Sequence, residues 1–367
     1  MWLLYRIVDK DWRSEKFVSE GYPVKIVVCS TDLDLLNIVY SDLFILMEEA
    51  LLKIVEEADC NLDRNILERI MKFWYEESEI TTSLETTETS AKMGMGLETP
   101  EFLNAILKVF AKLKADLKFN EEIRREYRQK ISIRSSEWIG LLRQVPEEIR
   151  RKTEGKHPII IFEDLDKLSP DDAWKVFYNY AAVLSGMSFP VIYTFPIGLS
   201  YDTRFSAMES YFITKTLPMI KIETMDGEIY EEGIDVIKKI VEKRADLELF
   251  EQEVLETLIQ YTGGSLRDLF HAINAAAKRA ERRDSSIISL EDAERALEEI
   301  KTSLTRRIEK RDYEFLLNIY GGNKELIEDK EMLLKMLQAS VVLEYNGKRW
   351  HNVHPLVVRF LKEQELI

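Results

Sequence analysis

"HPIIIFEDLDKLSPDDAW", residues 157–174, sets four apolar residues directly against a run of charge. Ile159, Ile160, Ile161 and Phe162 show no alternation, as expected of a strand covered on both faces. Glu163, Asp164 and Asp166 follow at once. Ser169, Pro170 and the acids Asp171 and Asp172 then spell a helix start, with a cap, a first-turn proline and negative charge at the positive end of the dipole. Strand, acidic turn and helix in that order form one unit of an α/β sheet. Ligands of open parallel sheets sit beyond the carboxyl ends of the strands, where this turn lies. Two neighbouring carboxylates there can hold Mg²⁺ and polarise the water that attacks a γ-phosphate. On these residues alone, an acidic turn capping the next helix explains the pattern equally well.

Outward from this stretch, three more β-prone runs occur: "VKIVVC" at 24–29, "FPVIYTF" at 189–195 and "YFITKTL" at 211–217, the last broken by Pro218. Apolar strands separated by helices predict a parallel sheet with helices on both faces. Residues 40–58 have helical period, with Ser41 or Asp42 as cap. A long helical insertion fills about 60–150, interrupted by the polar run 77–102, which reads as a loop. Its Gly94-Met95-Gly96 has no strand before it, and Thr99-Pro100 reads as a cap and first-turn proline.

From about 230 the chain is helical until Asn346-Gly347, which separates two short β-prone runs as a hairpin turn does. The expected organisation has three parts: an α/β core over 1–222, a helical lid over 223–300 and a winged-helix-like domain over 301–367.

The 367 residues suffice for two or three domains. Hydrophobic residues make up 46% and charged residues 32%, a globular balance. The net charge of −15 excludes binding to nucleic acid by overall charge, though not by a local basic face. Two cysteines, Cys29 and Cys60, fit neither a disulfide framework nor metal spacing. The apolar start "MWLLYRIVDKDW" turns acidic too soon for a signal peptide, and no window reaches the roughly 18 apolar residues of a membrane span. A soluble, cytoplasmic protein is expected.

Two further signals bear on the strand end. Thr194 closes the run "VIYT", where a hydroxyl can contact a phosphate or the attacking water. Gly263-Gly264 breaks the chain and Ser265 caps a helix whose buried stripe reads Leu266, Leu269, Phe270, Ile273 and Ala277. Arg267 flanks that stripe. A cation in the first turn opposes the helix dipole by about 0.3–1 kcal/mol. A docked anion would account for it, and so would pairing with a nearby acid such as Glu223.

Together these stretches resemble the ATPases of the AAA+ and STAND group, particularly its replication-initiator-like branch. "IIIFEDLDKL" looks like the Walker B strand, Thr194 like sensor 1, and "GGSLRDL" like sensor 2 with Arg267. "VIYTFPIGLSY", "LPMIKI" and the terminal "VVLEYNGKRWHNVHPLV" are similar to a family of bacterial and archaeal P-loop proteins with a winged-helix tail. The resemblance implies a parallel-sheet P-loop NTPase core of AAA+-like fold. It implies catalytic roles for Glu163, Asp164, Thr194 and Arg267. ATP would be contacted by Glu163, Asp164 and Arg267, and Mg²⁺ held by Glu163 and Asp164. Glu163 stands where the family carries an aspartate, and its extra methylene puts the metal's position in question.

One element of the pattern is missing. A P-loop needs G-x-x-x-x-G-K-[ST], and no Gly-Lys-Ser or Gly-Lys-Thr occurs. Gly155-Lys156 precedes His157 and a strand, so it does not qualify. "WLLYRIVDKDWRSEKFVSEGY" has the pattern of the helix that follows such a loop, with Leu3, Leu4, Ile7 and Val8 on its buried face. The expectation is therefore a chain that begins just after its P-loop, with a gap in the sheet where the loop-bearing strand belongs.

Three readings remain open. The full protein is an ATP-driven switch and this chain a truncated form, an ATP hydrolase only when the loop is present. Alternatively the chain is a non-catalytic interaction protein with a protein partner or a second copy of itself. A DNA-binding role through Lys348, Arg349 and Arg359 of the last domain is the third. Without the loop, weak ATP binding and negligible hydrolysis are expected.

Overall fold

The computed structural model describes residues 20–60, 62–75, 99–325, 327–345 and 349–367. The helix expected before Gly21, most of the polar loop with Gly94-Met95-Gly96, and the Asn346-Gly347 turn lie outside them. The described chain is mostly helical and carries one small parallel sheet. Its internal contacts divide it into a first unit up to Thr214 and a second from Lys215 to Ile367. The second unit holds both the helical segment and the terminal strand pair that the sequence separates near residue 300. Among the described residues no helix is long and apolar enough to cross a membrane.

In the first unit β1 (Val24–Val28), β2 (Ile159–Glu163) and β3 (Val191–Tyr193) form a three-stranded parallel sheet in that order. The registers Val28↔Glu163 and Phe162↔Tyr193 align the carboxyl ends. β2 is buried along its whole length, as its unbroken apolar run requires of a central strand. β3 is shorter than the seven residues expected. Pro190 and Pro196 bracket it, and a proline has no N–H to give a ladder.

The run 211–217 forms no strand. Its Ile213 and Leu217 are 94% and 70% exposed, so the β-prone pattern finds no partner there. The gap expected inside the sheet is also absent, because the three strands are direct neighbours. Among the described residues the sheet has two unpaired edges, the outer sides of β1 and β3, and Ile192 of β3 is exposed.

Helices α1 (Tyr40–Glu57), α2 (Arg64–Tyr75), α3 (Thr99–Phe119), α4 (Glu121–Ile133) and α5 (Ser135–Lys152) build a helical layer between β1 and β2 in the chain. α1 is buried almost all round, with the polar Ser41, Asp42, Glu48 and Glu49 among its buried residues. The cap is a variation on the expected one. Val39 occupies the cap position, and Asp42 reaches back to accept its N–H at 3.0 Å. In the core Phe44, Phe73, Trp74 and Trp138 pack edge to face, tilted or stacked, and the two tryptophans donate to the buried carboxylate of Glu48.

After β2, α6 (Pro170–Phe177) starts as the sequence suggests, with Ser169 Oγ accepting the Asp172 N–H at 3.2 Å. The helix then breaks, Tyr180 stacks on Tyr40, and α7 (Ala181–Ser185) resumes.

The second unit comprises α8 (Glu231–Glu242), α9 (Val254–Tyr261), α10 (Leu266–Arg282), α11 (Leu290–Thr305), α12 (Tyr313–Tyr320), α13 (Lys330–Gln338) and α14 (Pro355–Glu363). β4 (Val342–Tyr345) and β5 (Trp350–Val353) pair antiparallel, as the Asn-Gly signal implies. The run after Pro218 belongs to this unit. Met219 donates its N–H to Glu344 O at 3.0 Å, and Ile222 O accepts from Tyr230 N at 2.8 Å. Gly264, at φ +78, lets the Ile220 carbonyl pass where a Cβ would stand 1.8 Å from its oxygen.

Candidate functional site

Parallel pairing brings the ends of all three strands together, and with them Ser30, Glu163, Asp164 and Thr194. Glu163 is the last residue of β2 and is 1% exposed. Its Oε1 is buried without a hydrogen-bond partner. Burial above all, then the charges of Asp164 and Asp166, push its carboxyl up to about 7.

Asp164 is also buried and sits at φ +69, a left-handed conformation that ends the strand sharply and that aspartate tolerates better than most residues. Its Oδ1 lies 2.9 Å from Lys167 Nζ, and its Oδ2 accepts from Ser30 Oγ.

Thr194 follows β3 and braces the turn. Its hydroxyl accepts the Leu165 N–H at 3.1 Å and donates to Phe162 O at 3.2 Å. The hydroxyl that sequence assigns to a phosphate or water is here committed to the protein. Cys29, next to Ser30, is fully buried. Burial and the acids Asp32, Asp164 and Glu163 raise its thiol well above the usual range, which keeps it protonated and unreactive.

Ser30 and Lys167 are the participants that the sequence reading missed. Ser30 was findable in principle, because any residue just past a parallel strand shares the position of Glu163. Only the register Val28↔Glu163 places it beside Asp164.

Arg267 belongs to the second unit, in the first turn of α10. Ser265 caps that helix, accepting from Asp268 N at 3.3 Å and donating to Asp268 Oδ2 at 2.7 Å. His354 Nε2 approaches Asp268 Oδ2 at 3.5 Å, while its Nδ1 accepts the Leu356 N–H. Burial opposes ionisation of Asp268, but His354, Ser265 and Arg267 outweigh it and hold the carboxyl below its ordinary value.

Among the described residues Arg267 makes no hydrogen bond or ion pair, so pairing with Glu223 does not account for it. Glu223 instead accepts from Asn352. The buried face of α10 is Leu269, Ala272, Ile273, Ala276 and Ala280; Ala277 is exposed, contrary to the expected stripe.

Of the basic residues proposed to read DNA, Arg359 is engaged by Glu294 at 2.7 Å, and Arg349 lies 3.9 Å from Glu344. Lys348 lies outside the described residues.

The strand-end donor set is all oxygen and suits a hard divalent cation. Among the described residues no cluster of three or more His, Cys, Asp or Glu side chains gathers as a metal site, so the carboxylates here act as a pair.

No family model matches the chain, and no curated protein matches it. Two solved structures of the ORC2 protein of Aeropyrum pernix are similar to it in part. The structure of its ADPNP-ADP complexes has 15% identity over 62% of this chain and 70% of that one, with a TM-score of 0.31. The ADP form has 12% identity over 66% and 82%, with a TM-score of 0.29.

Proposed function

We propose that this chain is a nucleotide-binding scaffold of the AAA+/STAND type whose strand-end carboxylates take a divalent cation, while the loop that cradles phosphates is missing from its sequence. One observation carries the reading: the buried, unpartnered Oε1 of Glu163 beside Asp164 at the end of a parallel sheet. A buried acceptor without a donor costs about 1–3 kcal/mol, and more when charged. Burial above all, and then repulsion from the Asp164 carboxylate beside it, raises the Glu163 carboxyl to about 7. Glu163 and Asp164 would hold Mg²⁺, which supplies charge neutralisation for a phosphate chain. Arg267, in the second unit, makes no hydrogen bond or ion pair among the described residues and helps hold the neighbouring Asp268 carboxyl low.

Positioning and neutralisation are what phosphoryl transfer demands, and without the loop amides and lysine both are depleted. ATP binding by this chain is therefore weak and hydrolysis negligible.

A second reading has its own support. Asp164 is already satisfied by Ser30 and Lys167, and Thr194 is tied to the turn, as befits a scaffold retained for interaction with a protein partner or another copy. Titration with Mn²⁺ followed by electron paramagnetic resonance separates the two. Binding at pH 8 that weakens at least fivefold in Glu163→Gln and Asp164→Asn supports the cation site. Equal binding in all three proteins refutes it.

A further inference from the structure

Helices α10 and α11 follow one another in the second unit, pack together and leave a groove of about 650 Å³ along one side. Small side chains in its floor keep the groove open. Ala275 of α10 and Ala296 of α11 lie where larger residues would fill the space, and Ile300 and Leu304 continue the apolar floor along α11. Ala275 and Ile300 are only partly buried, so this floor meets solvent.

The rim is polar. Arg267, Lys278 and Arg282 of α10 are exposed and make no hydrogen bond or ion pair among the described residues. His271, Asn274 and Ser303 complete the rim as hydrogen-bonding groups. Its two carboxylates are already engaged, Asp268 by Ser265 and Glu299 by Arg279. Arg307 donates to Ala339 O at 2.7 Å. The charge left without a partner is therefore positive. At 1.5 Å per residue, Arg267 to Arg282 spans roughly 22 Å.

We propose that this groove receives an acidic amphipathic helix of a protein partner, its apolar stripe on the floor and its carboxylates on the rim. Charge complementarity selects that occupant. Three cations without partners, on a chain whose net charge is −15, match carboxylates held opposite them. The floor narrows the choice further. A sugar-phosphate backbone brings no apolar group to cover Ile300 and Leu304, whereas a helix with apolar residues at three- and four-residue spacing does. An apolar floor inside a polar, arginine-bearing rim is also the anatomy of a protein interface. The span fits about four helical turns, far more than a single small anion would cover. The inference goes beyond both readings of the strand end and needs neither cation nor nucleotide there.

Fluorescence anisotropy of labelled 18-residue peptides with the full chain tests it. The probe is a capped, alanine-rich peptide with leucines at i, i+3, i+4 and i+7 spacing and glutamates flanking them. One control scrambles its order, and a second carries lysine for every glutamate. The acidic amphipathic peptide should bind with a dissociation constant on the order of 10⁻⁴ M or tighter. The scrambled peptide should bind at least tenfold more weakly, and the lysine peptide not at all. Lys278→Glu/Arg282→Glu and, separately, Ile300→Asp should each lower the affinity at least tenfold. Raising salt from 50 to 500 mM should weaken binding roughly fivefold without abolishing it, because screening acts on the rim and not on the floor.

Thermal melts establish that the variants are folded. Should charge reversal or Ile300→Asp unfold the chain, Lys278→Gln/Arg282→Gln and Ile300→Ser serve, each with at least a threefold loss. No binding of the acidic peptide by the wild type, equal binding of the scrambled peptide, or equal binding by the folded variants overturns the proposal. So does tighter capture of a 20-bp duplex than of the peptide, which would make the groove a nucleic-acid site. Mn²⁺ binding by the same variants should match wild type, so this inference and the strand-end cation site can fail separately.

Discussion

The hydroxyl of Thr194 accepts the Leu165 N–H at 3.1 Å, joining the end of β3 to the turn that carries Glu163 and Asp164. Leu165 is fully buried, so its amide has no recourse to water. Thr194→Val keeps the shape and removes the acceptor. It should cost about 1–3 kcal/mol, seen as a lower urea midpoint, and should weaken Mn²⁺ binding by loosening the turn. Thr194→Ser should retain both properties. A valine variant as stable as wild type would show that the bond braces nothing.

Glu48 offers a pH test remote from the strand end. It is fully buried, with Trp74 Nε1 at 3.0 Å and Trp138 Nε1 at 2.7 Å donating to the same Oε2. Burial raises its carboxyl from 4.5 to about 7, and the two indoles only partly oppose this. The folded state therefore binds a proton more tightly than the unfolded one. The group's contribution is fully present below pH ~4.5, falls as pH rises, and is lost above ~7, a change of about 3 kcal/mol. Glu48→Gln should flatten the stability profile between pH 5 and 7.5 and be the more stable protein at pH 8. Parallel profiles for the two proteins would contradict this.

Two glycines give opposite expectations. Gly264→Ala forces a left-handed residue whose Cβ meets the Ile220 carbonyl oxygen, and should cost on the order of 3 kcal/mol or more. Gly140 lies inside α5 with nothing within 4 Å of an added Cβ. Gly140→Ala should stabilise by about 0.5–1 kcal/mol. Chemical denaturation of both variants checks the pair, and similar midpoints would refute it.

What the residues disclosed before the structure follows a physical division. β2 and the start of α6 were legible because an unbroken apolar run and a Ser-Pro cap are local signals. The position of Thr194 was legible too, but its hydroxyl's partners depend on the pairing of β2 with β3. Ser30 was missed for the same reason. The β-prone run 211–217 misleads because composition cannot supply a neighbouring strand, and Ile213 stays in water. On α10 the sequence places Ala277 in the apolar stripe, but packing buries Leu269, Ala272, Ile273, Ala276 and Ala280 and leaves Ala277 exposed.

Calorimetric titration of the chain with Mg²⁺-ATP at pH 8 tests the central claim most directly, with steady-state phosphate release measured alongside. The account predicts dissociation constants of roughly 10⁻⁴ M or weaker, about −5.5 kcal/mol at most, further weakened by Glu163→Gln, and no measurable turnover. Submicromolar binding, or Mg²⁺-dependent hydrolysis abolished by Asp164→Asn, would contradict it and require another segment to supply the phosphate cradle.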